Sequence, residues 1–228
     1  MKWVPHPSFS KGAGLGQMRI GILAIQCDYE AHARMLERLG VDYTFVRTPQ
    51  EVAQVHAMIL PGGESSTMLK FLEEEKLEAP LRDLAARGGA FFGTCAGAIL
   101  LAREVRGPAQ ASLGLVDVTV TRNAYGRQLS SEVRQAETTL KDAPLEMIFI
   151  RAPIIDRIGP GVQVLASERG RPVLVREGKM LVATFHPELT DDTTVHEYFL
   201  KMAAEASPAT VPTISQSAEV RAGTAQTS

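Results

Sequence analysis

Cysteine is scarce, with two in 228 residues. That excludes a disulfide framework and points to a reducing, cytoplasmic setting. Net charge is small: 24 Lys and Arg against 26 Asp and Glu give −2, with no basic stripe, so no nucleic-acid partner is expected. No apolar run approaches the roughly twenty residues of a membrane span, so no membrane partner is expected either. Residues 1–17 hold Pro5, Pro7 and three glycines but no apolar core segment, and do not read as a secretory signal. They read as a disordered N-terminal extension. Residues 205–228, rich in Ser, Ala, Thr, Pro and Gln, read as a disordered tail. Metal-ligand clusters, phosphate-binding glycine loops and internal repeats are all missing, so no metal and no bound cofactor are expected. What remains is one domain, 18–204, of ordinary size with ample core.

Within that domain strands and helices alternate, the pattern of a mostly parallel central sheet with helices on both faces. Arg19–Ile25 reads as the first strand. Asp28 reads as the cap of a helix with Ala31, Met35 and Leu39 as its stripe, ended by Gly40. His32 on that helix reads as a surface or packing residue. Strands follow at 43–46, 56–60 and 90–92, with helices over 64–75 and about 80–87. The later third is strand-rich: 116–122, 146–150, 162–166, 172–176 and 180–184. Glu177-Gly178 signals a hairpin between the last two. These predict additional antiparallel hairpins in the C-terminal third. A helix over 195–204 closes the domain, and His196 on it has no evident role.

The most informative segment is Ala90-Phe-Phe-Gly-Thr-Cys-Ala-Gly97. An apolar strand leads into Gly93-x-Cys95-x-Gly97, the spacing of a nucleophile elbow, with Ala98–Glu104 as the first turns of a helix. Glycines suit so sharp a turn because a Cβ on either side would crowd neighbouring backbone. A helix N-terminus aimed at the sulfur favours thiolate. A plain buried cysteine would carry the same residue, since free cysteine is often buried, and it is the search for a base that separates the two. His186 and Glu188 follow a strongly apolar segment about ninety residues later. In an extended chain residues two apart project to one side. Cys95, His186 and Glu188 therefore form a nucleophile, base and orienter set.

Leu60-Pro-Gly-Gly63-Glu64-Ser65-Ser66 follows another strand. Its glycines leave amides free for a developing oxyanion, and the Ala96 amide would be the second donor. The same residues could equally be a glycine-rich turn with Ser65 or Ser66 capping the next helix. Read alone, Arg122 and Arg151 are surface arginines.

Together these segments resemble the class I (triad-type) glutamine amidotransferase family, and within it the PdxT branch, the glutaminase subunits of pyridoxal 5′-phosphate (PLP) synthase. The resemblance is carried by 60–68, 92–97, 122–128 (Arg-Asn-Ala-Tyr-Gly-Arg-Gln), 149–153 and 185–190, and covers about residues 18–204. It implies a flavodoxin-like α/β fold and hydrolysis of L-glutamine to glutamate and ammonia through a glutamyl thioester on Cys95. It implies an oxyanion hole from Gly63 and Ala96, and glutamine held by Gly63, Glu64, Ser65, Arg122, Ile150 and Arg151. Guanidinium groups suit the carboxylate of a zwitterionic substrate. It also implies a gating role for Gln26, at the carboxyl end of the first strand where ligands bind in open α/β sheets. Cys27 stands where the family usually has glycine, which puts loop switching there in doubt. The domain has no synthase portion, so the implied partner is the (β/α)₈ synthase subunit, PdxS, in an assembly of twelve of each. The alternatives are a glutaminase subunit of another amidotransferase such as imidazole glycerol phosphate synthase, a cysteine peptidase or related hydrolase, and a non-catalytic scaffold.

Overall fold

The computed structural model describes residues 18–25, 29–122 and 132–205. The expectations for Gln26, Cys27 and the Asp28 cap, for positions 123–128, and for both terminal segments apart from Glu205 lie outside the described residues. Five parallel strands form one side of a seven-stranded sheet, out to its edge: β1 (Ile20–Leu23), β2 (Tyr43–Val46), β3 (Ala57–Leu60), β4 (Ala90–Thr94) and β12 (Met180–Ala183). Their order, β2-β1-β3-β4-β12, is the flavodoxin-like order with β12 as the fifth strand. Beyond β12 the sheet turns antiparallel through β11 (Arg171–Glu177) and β10 (Gln163–Glu168). The expected hairpin is present, turned at Gly178 with φ +55°.

Strand alternation divides the core in two. Met58, Leu60, Phe91 and Val182 face one side, where α3 (Ser65–Glu74), α4 (Glu78–Ala86) and α5 (Ala96–Leu101) supply Met68, Leu72, Leu81, Leu84 and Leu100. Ile20, Ile22, Ile59, Phe92 and Leu181 face the other, covered by α1 (Tyr29–Arg38) and α6 (Thr194–Ala204) through Ala33, Leu36, Val195 and Phe199. This is the period-two projection of a sheet buried on both faces.

Three expectations need correction. Ala102–Glu104 do not extend the helix after the elbow; they open β5 (Ala102–Arg106). The carbonyls of Leu100 and Leu101 are taken by the amides of Leu113 (2.7 Å) and Leu115 (2.9 Å), which stops the helix, and β5 then pairs in parallel with β6 (Val116–Thr121). Two strands went unread: β7 (Glu132–Ala136), paired antiparallel with β8 (Leu145–Phe149), and β9 (Ile154–Ile158), paired with β6. Glu132 and Arg134 in β7 satisfy each other and Glu168, so the strand reads as polar loop. A short helix, α2 (Pro49–Val52), was also unread, although Thr48 and Glu51 form its capping box, a pattern visible in sequence.

Candidate active site

Register brings the pieces together. Ala183 pairs with Thr94 across β12 and β4, so the chains leaving these neighbouring strands emerge side by side at their carboxyl ends. Cys95 is anchored there by its amide to Ala183 O (2.9 Å), and His186 by its amide to Ile148 O (2.8 Å).

The elbow is as tight as its glycines require. Cys95 has φ +48° and ψ −101°, a region costly for a residue with a Cβ and characteristic of functional turns. A Cβ on Gly93 would stand 2.6 Å from the Gly97 carbonyl, and one on Gly97 would stand 1.9 Å from Leu60 O. The Cys95 turn and the end of β3 are therefore in backbone contact, and α3, which follows the Gly62-Gly63 turn, packs on α5. Gly63 has φ +143°, a conformation that favours glycine. Glu64, not Ser65 or Ser66, caps α3, accepting from the amides of Ser66 (3.1 Å) and Thr67 (2.8 Å).

His186 hydrogen-bonds Cys95 on one side and Glu188 on the other, with Nδ1 2.8 Å from Glu188 Oε1. Cys95, His186 and Glu188 are 7%, 3% and 5% exposed, so the contacts are dry. Glu188 reaches back through a 3-10 turn over Pro187–Leu189 rather than along an extended strand, which corrects the geometry expected from sequence but keeps the partners. Burial alone would pull the His186 pKa down. The hydrogen bonds to Cys95 and Glu188, and the charges of both, outweigh it and push it up to about 10.

The remaining candidates fall into two groups. Ile150 O lies 3.8 Å from Cys95 Sγ, and Arg151 follows it with φ +46°, exposed. Arg122 pairs with Glu64 Oε1 (3.2 Å) and donates to Ser66 Oγ (2.9 Å), while Ser65 is buried and donates to Gln110 Oε1 (3.2 Å). Ala96 opens α5 directly after Cys95.

Sequence reading missed a pair of histidines that reaches Thr94 and Glu188. His32 and His196 are fully buried. His32 Nε2 is 3.1 Å from Thr94 Oγ1 and 3.5 Å from Glu188 Oε1, and His32 Nδ1 is 3.0 Å from His196 Nε2. Thr94 Oγ1 donates to Glu188 Oε1 at 3.4 Å. The signal was available in the helical period: His32 is four residues before Leu36, and His196 three before Phe199, both core positions.

Comparison with solved structures sets the class. A glutamine amidotransferase crystal structure superposes with TM-score 0.76 at 44% identity, over 81% of this chain and 98% of that one. PurLQS from Thermotoga maritima matches at TM-score 0.63 and 16% identity, over 81% and 98%, a likeness of fold alone. More narrowly, the chain belongs to the SNO glutamine amidotransferase family, whose pattern spans residues 22–205. It is 52% identical over 185 residues to the pyridoxal 5′-phosphate synthase subunit PdxT of Koribacter versatilis, covering 81% of this chain and 95% of that protein. To PdxT of Deinococcus radiodurans it is 48% identical over 193 residues, covering 82% and 98%. Among the described residues no helix is long and apolar enough to cross a membrane.

Proposed function

We propose that the protein is the glutaminase subunit of a PLP synthase, hydrolysing L-glutamine and passing the ammonia to a PdxS synthase subunit. The observation that carries this reading is the buried contact of His186 with both Cys95 and Glu188, in a chain about half identical to PdxT proteins. The Cys95 sulfur gives up its proton to His186 and attacks the carboxamide carbon. The C–N bond breaks as His186 returns that proton to the departing nitrogen, releasing ammonia and leaving a glutamyl thioester. A raised pKa suits this acid role. Once acylated, the sulfur carries no charge, so one of the supports holding His186 protonated is gone. The ring can then take a proton from the attacking water, and thioester cleavage gives glutamate and the restored thiol.

The amides of Gly63 and Ala96 receive the oxyanion. The Glu64–Arg122 pair, with opposite charges 3.2 Å apart, presents a matching face to a zwitterion. Ser65, Ile150 and Arg151 complete the glutamine site, and Gln26 acts as its gate. The protein works in the cytoplasm, where Cys95 stays reduced, in an assembly of twelve glutaminase and twelve synthase subunits. Docking of PdxS aligns the oxyanion amides, so turnover depends on the partner. Ammonia release from L-glutamine, with and without purified PdxS, tests this directly. Activity should appear with PdxS and vanish in Cys95→Ala. Equal turnover without PdxS would refute the gating, and retained turnover in Cys95→Ala would refute the triad.

A further inference from the structure

We propose that His32, backed by His196, is a positioning residue that aims a one-way string of neutral hydrogen bonds at Glu188 and so fixes which way the catalytic imidazole faces. The inference rests on the triad reading above. The link is made through Thr94 and Glu188.

The direction of the string follows from hydrogen-bond balance. Among the described residues, His196 Nδ1 is buried without a hydrogen-bond partner. An orphaned N–H is the rarer and costlier state in protein interiors, so this nitrogen carries the lone pair. Neutral His196 then holds its proton on Nε2 and donates to His32 Nδ1, 3.0 Å away. His32 Nδ1 is thereby an acceptor, which leaves its proton on Nε2, 3.1 Å from Thr94 Oγ1 and 3.5 Å from Glu188 Oε1. Thr94, accepting from His32, is free to turn its own hydroxyl proton toward Glu188 Oε1 at 3.4 Å. Every donor in the series therefore points toward the carboxylate oxygen that receives His186 Nδ1.

Both rings are kept neutral. Burial pushes His32 well below its ordinary pKa, aided by repulsion from His196 and His186, and burial takes His196 down to about 3. A charged His32 would make its Nδ1 a second donor and break the link from His196, while a charged His196 would add a buried N–H at Nδ1. Among the groups facing Glu188 are His186 from its own turn, His32 from α1 and Thr94 from β4. His196 on α6 faces His32. Three separately packed elements thus converge on one oxygen. Packing alone asks only for apolar side chains there, and neither ring reaches substrate.

Two amide replacements separate positioning from packing. Gln at position 32 places an N–H near the Nε2 site, whereas Asn reaches only the Nδ1 site. The experiment follows the His186 ring titration by NMR of histidine-labelled protein, assigned with His186→Gln. It also measures kcat and KM for glutamine in the complex with PdxS. His32→Asn and His32→Leu should lower the His186 midpoint by about 0.5–1 pH unit, the scale of a lengthened hydrogen bond to a charged acceptor. They should cut kcat about tenfold with KM unchanged, since they touch only the orientation of the base. His32→Gln should restore most of both readings. His196→Leu should give a smaller shift of the same sign, and it keeps the question answerable if changes at position 32 prevent folding. An unmoved His186 titration, or Gln no better than Asn and Leu, would overturn the proposal. If the wild-type complex releases no ammonia, the glutaminase reading falls, while the titration still decides the role of His32.

Discussion

Replacing Gly97 with alanine puts a single methyl group between the Cys95 turn and the end of β3. The added carbon would stand 1.9 Å from Leu60 O and 2.7 Å from Leu60 C, where ordinary contacts begin at 3.4 Å. About 1.5 Å of displacement is needed, and it must come from backbone on both sides. Overpacking of this kind costs about 1–3 kcal/mol, and rigid partners place it at the upper end. Alanine recovers about 1 kcal/mol as the better helix former, leaving a net loss of about 2 kcal/mol. In a chain of this size that lowers Tm by about 4–8 °C. The effect on catalysis should be larger, because a shift of about 1 Å in reacting groups costs about 10²-fold. A thermal melt and an ammonia assay with PdxS read the two effects separately. Gly40→Ala is the control: Gly40 has φ +66° but nothing within 4 Å. It should lose about 1–2 kcal/mol to strain and keep full turnover. The reasoning fails if Gly97→Ala melts and turns over like wild type, or if Gly40→Ala loses as much activity.

Three further outcomes are expected. Cys95→Gly and Cys95→Ala should both be inactive, but the glycine variant should be the more stable by about 1 kcal/mol, since it relieves the positive φ; equal melting curves would show that the elbow holds no strain. Glu188→Gln should lower kcat about 10³-fold or more by losing the tautomer-setting acceptor and should bring the His186 titration down from about 10; an unchanged titration would contradict the assignment. Stability should peak near pH 6.5. Folded His186 holds its proton up to about 10, so its stabilisation is complete below the unfolded value of about 6.5 and fades as pH rises. His32 and His196 resist protonation in the fold, so acidification below about 6.5 favours the unfolded chain by about 1.4 kcal/mol per histidine per pH unit. Denaturant titrations across pH should show both limbs, and stability rising steadily from pH 6.5 to 9 would contradict the basic one.

The sequence made the elbow, the His-x-Glu pair and the five parallel strands legible because each rests on local rules: glycine spacing, apolar strand runs and turn residues. The sharp stop after Leu101 was not legible, because the amides that end the helix come from Leu113 and Leu115, more than ten residues on. Strand β7 was hidden for a similar reason: Arg134 finds Glu168 only once β10 is in place. His32 illustrates the deepest gap. Read as a surface or packing residue, it is buried, and its partners Thr94, Glu188 and His196 come from three other segments, so no local pattern couples them. Glu64 shows the reverse case, a residue expected at the substrate that also caps its own helix.

Affinity labelling with a diazo-ketone analogue of glutamine, carried out on the complex with PdxS and read by peptide mass spectrometry, tests most directly whether this sulfur is the nucleophile. The account predicts a stoichiometric adduct on the peptide bearing Cys95, blocked by excess L-glutamine. Labelling elsewhere on the chain, or labelling of Cys95 that glutamine does not prevent, would contradict it.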